Sequence, residues 1–188
     1  MFTPSRYRQS GLSLIELVMF IVIVGIAVAG VLSVMNVTTQ HSADPMVRKQ
    51  GLAIAEALLE EIELQPFTYC DPDDANAAAA SGAFVGLNGC ATTVEALGPE
   101  AGETRYTSPQ FDNVNDYNGF SMSPIVDITG STIAGLGAYT ASVNITQAGA
   151  AFSLPAAVVL QIDVRVVSGS TDITLTGYRF RYAPNAVP

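Results

Sequence analysis

Residues 12–43, LSLIELVMFIVIVGIAVAGVLSVMNVTTQHSA, form a long apolar segment whose one charged side chain is Glu16. Apart from Glu16 and Asn36, the residues from Leu14 to Val37 are apolar or small, and this length exceeds the ~20 residues that an α-helix needs to cross a bilayer. This segment predicts a membrane-spanning helix. Because a charged side chain in such a helix costs roughly 2.5–3.5 kcal/mol, Glu16 is expected to have a function and a partner.

The sequence around this carboxylate, GLSLIE at residues 11–16, resembles the class III signal of type IV prepilins, the family of pilins and type II secretion pseudopilins. The resemblance implies that a prepilin peptidase cuts after Gly11 and that Leu12 becomes the methylated first residue. It also implies that Glu16 pairs with the terminal amine of a neighbouring subunit. The resemblance covers the first third of the chain and departs from the common pattern at Ser10, where Lys or Arg often stands.

Two arginines, Arg6 and Arg8, stand immediately before the apolar segment. The positive-inside rule keeps them in the cytoplasm, so residues 1–11 are expected to be a basic leader and the C-terminal region to lie outside. In a bacterium, which the resemblance implies, this means the inner membrane and then the periplasm or the cell surface. The partners that it implies are other pilin subunits, prepilin peptidase and the ATPase and platform proteins of the assembly system.

The composition argues against a nucleic-acid partner. The chain of 188 residues has a formal net charge of -9 and eight basic residues, which form no basic stripe. Binding to nucleic acid requires clustered Lys and Arg that neutralise phosphates. No nucleic acid is therefore expected as a partner.

A second helical pattern follows the apolar segment. Asp44-Pro45 is typical of a helix start, so Pro45 predicts either a kink or a restart of the helix. Apolar residues then recur at steps of three and four, at Leu52, Ala55, Leu59 and Ile62, with glutamates on the other face. The sequence predicts a membrane-spanning and filament-core helix over residues 12–43 and an amphipathic continuation over 44–66, which Pro66 ends.

Residues 67–119 are expected to be an irregular loop region because Gly, Pro and Asp punctuate them. They contain the two cysteines of the chain, Cys70 and Cys90. An even count in an exported domain predicts one disulfide, which would close a loop of about 20 residues. The alternative is a pair of free thiols.

The last part of the chain, residues 120–188, is expected to form an antiparallel β-sheet. Apolar residues alternate with others at Val143 and Ile145 and again through residues 158–167, and Ser168-Gly169-Ser170 predicts a hairpin turn into residues 172–182. The apolar positions change parity at Gly177, which predicts a β-bulge there. A further strand is expected at Phe120–Ile128. The fold class is therefore α+β, with a long N-terminal helix packed on a small antiparallel sheet, as in pilins.

One stretch, residues 112–119, concentrates oxygen donors. Asp112, Asn115 and Asp116 are the candidate ligands of a calcium ion, since hard cations take several oxygens from a tight loop. The alternative is a solvated turn, for which acidic, Asn-rich stretches ending in Gly are typical. No other cofactor is expected.

Nothing in the sequence indicates catalysis. The one histidine, His41, lies far from any Ser or Asp grouping that suggests a triad, and there is no phosphate-binding loop or dinucleotide fingerprint. The chain is therefore not expected to be an enzyme.

The favoured function is a minor pilin, processed at Gly11 and assembled into a type IV pilus. Within the family, the length, the LEEIE stretch before Gln65 and the DYNG segment resemble minor pilins of the mannose-sensitive haemagglutinin (MSHA) system. A type II secretion pseudopilin is the alternative in the same class. A different class is an exported binding module, since Ala27-Val28-Ala29 fits the small-x-small cleavage site of an ordinary signal peptide.

Overall fold

The computed structural model describes Gly11 and residues 13–187, apart from the side chains of residues 37–44. One helix, α1, runs from Leu14 to Leu64. The chain divides into two units between Pro45 and Met46, so that α1 contributes residues to both.

In the first unit, the part of α1 from Leu14 to Asn36 is a candidate membrane span. It is 23 residues long, its mean hydropathy is 2.9, and none of its side chains is buried within the chain. A helix that is apolar on all sides needs an apolar environment, either lipid or other helices. The apolar helix predicted from the sequence is confirmed.

The helical hydrogen-bond pattern continues through Pro45, so the predicted alternative of a helix restart is wrong. A proline inside a helix removes one backbone hydrogen bond and costs about 3 kcal/mol. Packing of the following turns stabilises the helix against this cost, because most helical stability in proteins comes from burial of an apolar face.

In the second unit, the last turns of α1 pack against the sheet. The buried residues of this face are Gly51, Ile54, Ala55, Leu58 and Ile62. The sequence therefore predicted the buried face correctly at Ala55 and Ile62 but wrongly at Leu52, whose side chain is exposed. A Cβ built on Gly51 would lie 3.3 Å from Ile173 Cδ1, so the missing side chain lets the helix approach the sheet closely.

The sheet is an antiparallel meander of four strands that follow one another in chain order. Its strands are β1 (Ser121–Met122), β2 (Thr140–Gln147), β3 (Val159–Ser168) and β4 (Thr171–Phe180). The inward residues, which include Val143, Ile145 and Ile162, form one core with the helix. The α+β fold and the β3–β4 hairpin are as the sequence predicts.

The β-bulge predicted at Gly177 is absent: Gly177 pairs with Ile162 in an unbroken ladder. A Cβ at Gly177 would lie 2.9 Å from Leu59 Cδ1 and would also collide with the Glu63 carboxylate. The glycine therefore makes room for α1. The change of parity has another cause, because Tyr178 and Phe180 lie on the outer face, where their rings pack on Phe152.

The strand predicted at Phe120–Ile128 is also wrong beyond its first residues, since β1 contains only Ser121 and Met122. Pro124 has no N–H to donate to a ladder. Asp127 then begins a tight turn, in which its backbone N–H donates to Ser131 O at 2.9 Å. Irregular chain therefore connects β1 to β2.

Candidate functional site

The N-terminal signal begins α1. The backbone N–H of Glu16 donates to Ser13 Oγ at 3.3 Å, and the N–H of Leu17 donates to Ser13 O at 3.2 Å. Ser13 thus caps the helix, and Glu16 lies in the first turn, where the helix dipole favours an acid. The spacing S-x-x-E of a capping box is the sequence signal for this cap, and the sequence analysis missed it.

Glu16 is exposed, and among the residues that the structure describes it has no ion-pair partner. Its neighbours Ile15 and Leu17 are exposed apolar side chains. Gly11 is exposed as well, while Leu12 lies outside the described residues, so its methylation stays a prediction. A carboxylate on this apolar surface is available for a group outside the chain.

Further along the same helix, Gly25 and Gly30 face open space. A Cβ built on either would meet no atom of the chain within 4 Å. Glycine inside a helix costs about 1 kcal/mol relative to Ala. Since the described part of the chain gives no steric reason for these glycines, they suit close approach of another helix.

In the second unit, Cys70 and Cys90 form the predicted disulfide, with their Cα atoms 5.5 Å apart. The loop that they close is also held by Asp74, whose buried carboxylate accepts four backbone hydrogen bonds. The donors are Asn76 N (2.9 Å), Ala91 N (2.8 Å), Thr92 N (2.7 Å) and Thr93 N (2.9 Å). Desolvation raises the pKa of Asp74, but these donors outweigh it and hold the pKa well below its usual range.

A bidentate ion pair joins α1 to the loop region. Arg105 Nε lies 2.7 Å from Glu61 Oε1, and Arg105 Nη2 lies 2.6 Å from Glu61 Oε2. Tyr117 also donates to Glu61 Oε1 at 2.8 Å, and Arg105 Nη1 donates to Asp127 O at 3.2 Å. The Glu61 hydrogen bonds raise the pKa of Arg105, and burial together with the Glu61 charge raises the pKa of Tyr117. This network fixes three segments to the helix.

The loop region also brings seven carboxylates into one acidic cluster. They form three overlapping groups, which share Asp71 and Glu100. The groups are Asp71–Asp73–Asp112, Asp71–Glu100–Glu103 and Glu95–Glu100–Asp116. In each group, carboxylate oxygens of the three residues lie within 4.8 Å of one another. The acidic cluster brings together the carboxylates of the described part of the chain that lie close enough to share a metal ion.

Burial and mutual repulsion make four of these carboxylates hard to ionise, namely Glu95, Glu100, Asp112 and Asp116. Desolvation and the neighbouring Asp116 raise the pKa of Glu95 to about 10, and the same two causes raise the pKa of Asp112 to about 7. Desolvation raises the pKa of Asp116 to about 6 against two backbone hydrogen bonds that lower it. The pKa of Glu100 is raised too, by burial and by Asp116.

The residues predicted to bind calcium have different surroundings. Asp116 lies in a short 3₁₀ turn, Val114–Tyr117, whose N-cap is Asn113. Its Oδ2 completes the capping box by accepting from Asn113 N at 2.7 Å, and it also accepts from Asp112 N at 2.9 Å. The structure places Asp112 and Asp116 in different groups of the acidic cluster. Asn115 is buried, and its Oδ1 has no hydrogen-bond partner.

Residues 6–32 match the family described as the prokaryotic N-terminal methylation motif. A comparison with curated proteins found no significant match, and a comparison with solved structures found none either. The match lies at the signal and the apolar helix. Together with the helix-on-sheet fold, it supports a type IV pilin-like precursor of the kind that prepilin peptidase processes and that assembles with other pilin subunits.

Three residues of the second unit were missed or undervalued from the sequence. The residues around Asp74 predict only an irregular loop, and no sequence pattern marks Arg105 or Glu95. Their partners lie far away along the chain, as with Glu61 and Arg105, which are separated by 44 residues. No local period or motif reports such contacts.

Proposed function

We propose that this chain is a minor pilin of a type IV pilus, held in the bacterial inner membrane by α1 until it is assembled. The methylation motif at residues 6–32 carries this proposal. It also implies a C-terminal unit in the periplasm before assembly, and a structural subunit rather than an enzyme.

Glu16 would act as the assembly residue. Its exposed carboxylate lies on an apolar helix surface, where an unpaired charge is costly. Pairing with the methylated amine of a neighbouring Leu12 would neutralise both groups. Because the pairing requires one axial position of the two helices, it would select the correct register as a subunit is added.

The exposed apolar surface of α1 would form the filament core. All side chains of the candidate span are exposed, and Gly25 and Gly30 offer close approach. Lipid would cover this surface before assembly and neighbouring helices afterwards. The assembly ATPase and platform proteins would be the further partners.

The finer assignment is to the D-type minor pilins of the MSHA system. The length and the LEEIE and DYNG stretches support it. A type II secretion pseudopilin would use the same signal and the same helix. One strain would lack the type IV pilus components and another the type II secretion components. The deletion that removes this chain from filaments would identify the system to which it belongs.

Intact mass and N-terminal sequencing of the protein from its native membrane test the proposal. We expect the mature chain to begin at Leu12 and to carry one added methyl group. A start at Gly30 would identify an exported module released by signal peptidase. An unprocessed chain would leave a simple membrane anchor, and either result would overturn the proposal.

A further inference from the structure

Glu95, Glu100 and Asp116 bring carboxylate oxygens within 4.8 Å of one another. Glu95 is 7% exposed and Asp116 is 0% exposed, so two of the three side chains are removed from water. Three carboxylates at this distance repel each other strongly in a partly desolvated site. Their proximity requires either protonation of the carboxylates or a compensating cation.

The buried oxygens at this position lack donors. Neither Oε1 nor Oε2 of Glu95 has a hydrogen-bond partner, and the same holds for Asp116 Oδ1 and Asn115 Oδ1. A buried polar atom without a partner costs about 1–3 kcal/mol, and a charged one costs more. Four such oxygens, two on Glu95 and one each on Asn115 and Asp116, indicate a missing ligand.

The nearest arginine does not satisfy them. Arg181 lines the same cavity of about 160 Å³ as Glu95 and Asn115. Its guanidinium stacks over the Phe67 ring at 4.0 Å, and its Nε has no hydrogen-bond partner. Among the described residues no ion pair joins Arg181 to Glu95.

We propose that Glu95, Glu100 and Asp116 bind a calcium ion, with the Asn115 side-chain oxygen as a neutral ligand. Calcium takes 6–8 oxygen ligands at about 2.3–2.6 Å, so its ligand oxygens lie no more than about 5 Å apart, a condition that these three carboxylates meet. The adjoining cavity has room for water ligands. Soft metals fit poorly, because both cysteines are in the disulfide.

Backbone contacts hold Glu95, Asn115 and Asp116 in place before the ion arrives. Glu95 N donates to Tyr69 O at 3.1 Å, beside the bridge that pairs Cys70 with Val94. Asp116 is held by its capping box. Gly98 N donates a hydrogen bond to Asn115 O at 3.0 Å, which connects the segment before Glu100 with the 3₁₀ turn. The site therefore requires little rearrangement, and it is independent of the pilus assignment.

The test is thermal unfolding of the full-length protein in detergent, in chelator and then in Ca²⁺. Saturating Ca²⁺ is expected to raise the Tm by about 5–10 °C, as for a ligand at about 100 times its Kd. Mg²⁺ should raise it less, because it prefers strict octahedral geometry and retains its waters. Isothermal titration with Ca²⁺ should give one site.

Two variants make the test specific. Glu95→Gln keeps the shape but cannot act as an anionic ligand, so it should abolish the Ca²⁺ response while leaving the Tm in chelator near the wild-type value. The matched control is Asp73→Asn, which removes an exposed carboxylate of another group and should keep the response.

Three results would overturn the proposal. The first is a Tm unchanged by Ca²⁺, and the second is an equal rise with Mg²⁺, which would report general charge screening. The third is a Glu95→Gln variant that loses stability in chelator, which would show that Arg181 already neutralises Glu95.

Discussion

Arg105 and Glu61 form a bidentate ion pair in which the arginine is 6% exposed and the glutamate 25% exposed. A second bidentate pair, Arg165 with Asp172, has the same 2.6 Å contact, but its side chains are 56% and 50% exposed. The two pairs share one geometry in two environments. Comparing them therefore measures the effect of burial together with that of the further hydrogen bonds that Tyr117 donates to Glu61 and Arg105 donates to Asp127 O.

Arg105→Ala should lower the free energy of unfolding by about 3 kcal/mol, because it leaves the partly buried Glu61 without its cation. Arg165→Ala is the matched control and should have an effect near the error of the measurement, since water and salt screen the exposed pair. Urea unfolding of the purified protein in detergent measures both. Equal losses would show that burial does not set the strength of the Arg105 pair.

Gly149→Ala should destabilise the protein by about 2–4 kcal/mol, as overpacking against a backbone does. A Cβ at this position would collide with the Pro155 carbonyl oxygen and would lie 3.0 Å from Ala156 Cα. The control is Gly137→Ala, where a Cβ would meet no atom within 4 Å. Thermal unfolding of the two variants compares them, and similar Tm values would contradict the close approach.

Asp74→Asn should cost about 2–3 kcal/mol at neutral pH, because an amide nitrogen would replace one of the oxygens that accept backbone N–H groups. The folded pKa of Asp74 is lowered, so its contribution is complete above the unfolded pKa of about 3.9 and is lost as the pH falls below it. The difference in unfolding free energy between wild type and variant should therefore shrink below about pH 4.

The measurement for Asp74 is denaturant unfolding of both proteins from pH 7 to pH 2.5. Asp73→Asn serves as the control, since its carboxylate is exposed one residue away. A difference that stays constant across this range would mean that Asp74 has an ordinary pKa.

Cys70→Ser combined with Cys90→Ser should lower the unfolding free energy by about 3 kcal/mol, the chain-entropy value for a closed loop of this size. Thermal unfolding of wild type with and without reductant gives the same comparison without mutation. Identical Tm values would show that Asp74 and its backbone donors alone determine the order of the loop.

Glu16→Gln should leave the protein in the membrane but reduce its incorporation into filaments to background, since the amide cannot neutralise a neighbouring ammonium. Immunoblots of sheared filaments and of the membrane fraction measure the two pools. Glu56→Gln changes an exposed glutamate further along α1 and should assemble normally. Normal incorporation of Glu16→Gln would remove the pairing role from the proposal.

The elements with a clear period could be predicted from the sequence. The apolar run to Asn36 gave the helix, and the alternation through Ile162 gave β3. The interpretation of Gly177 failed, because a glycine that makes room for a helix and one that makes a bulge look alike in a single sequence. The burial of Glu95 could not be predicted either, since it depends on contacts that only the folded loop creates.

Tyr139 reaches back to the beginning of the second unit, where its hydroxyl donates to Gln50 Oε1 at 2.7 Å and lies 3.3 Å from Val47 O. The sheet is thus covered from Val47 onward by the helix that shares its core. A water-soluble fragment for crystallisation would have to start near Met46. A cut at Pro66 would uncover the inner face of the sheet, and that fragment should precipitate.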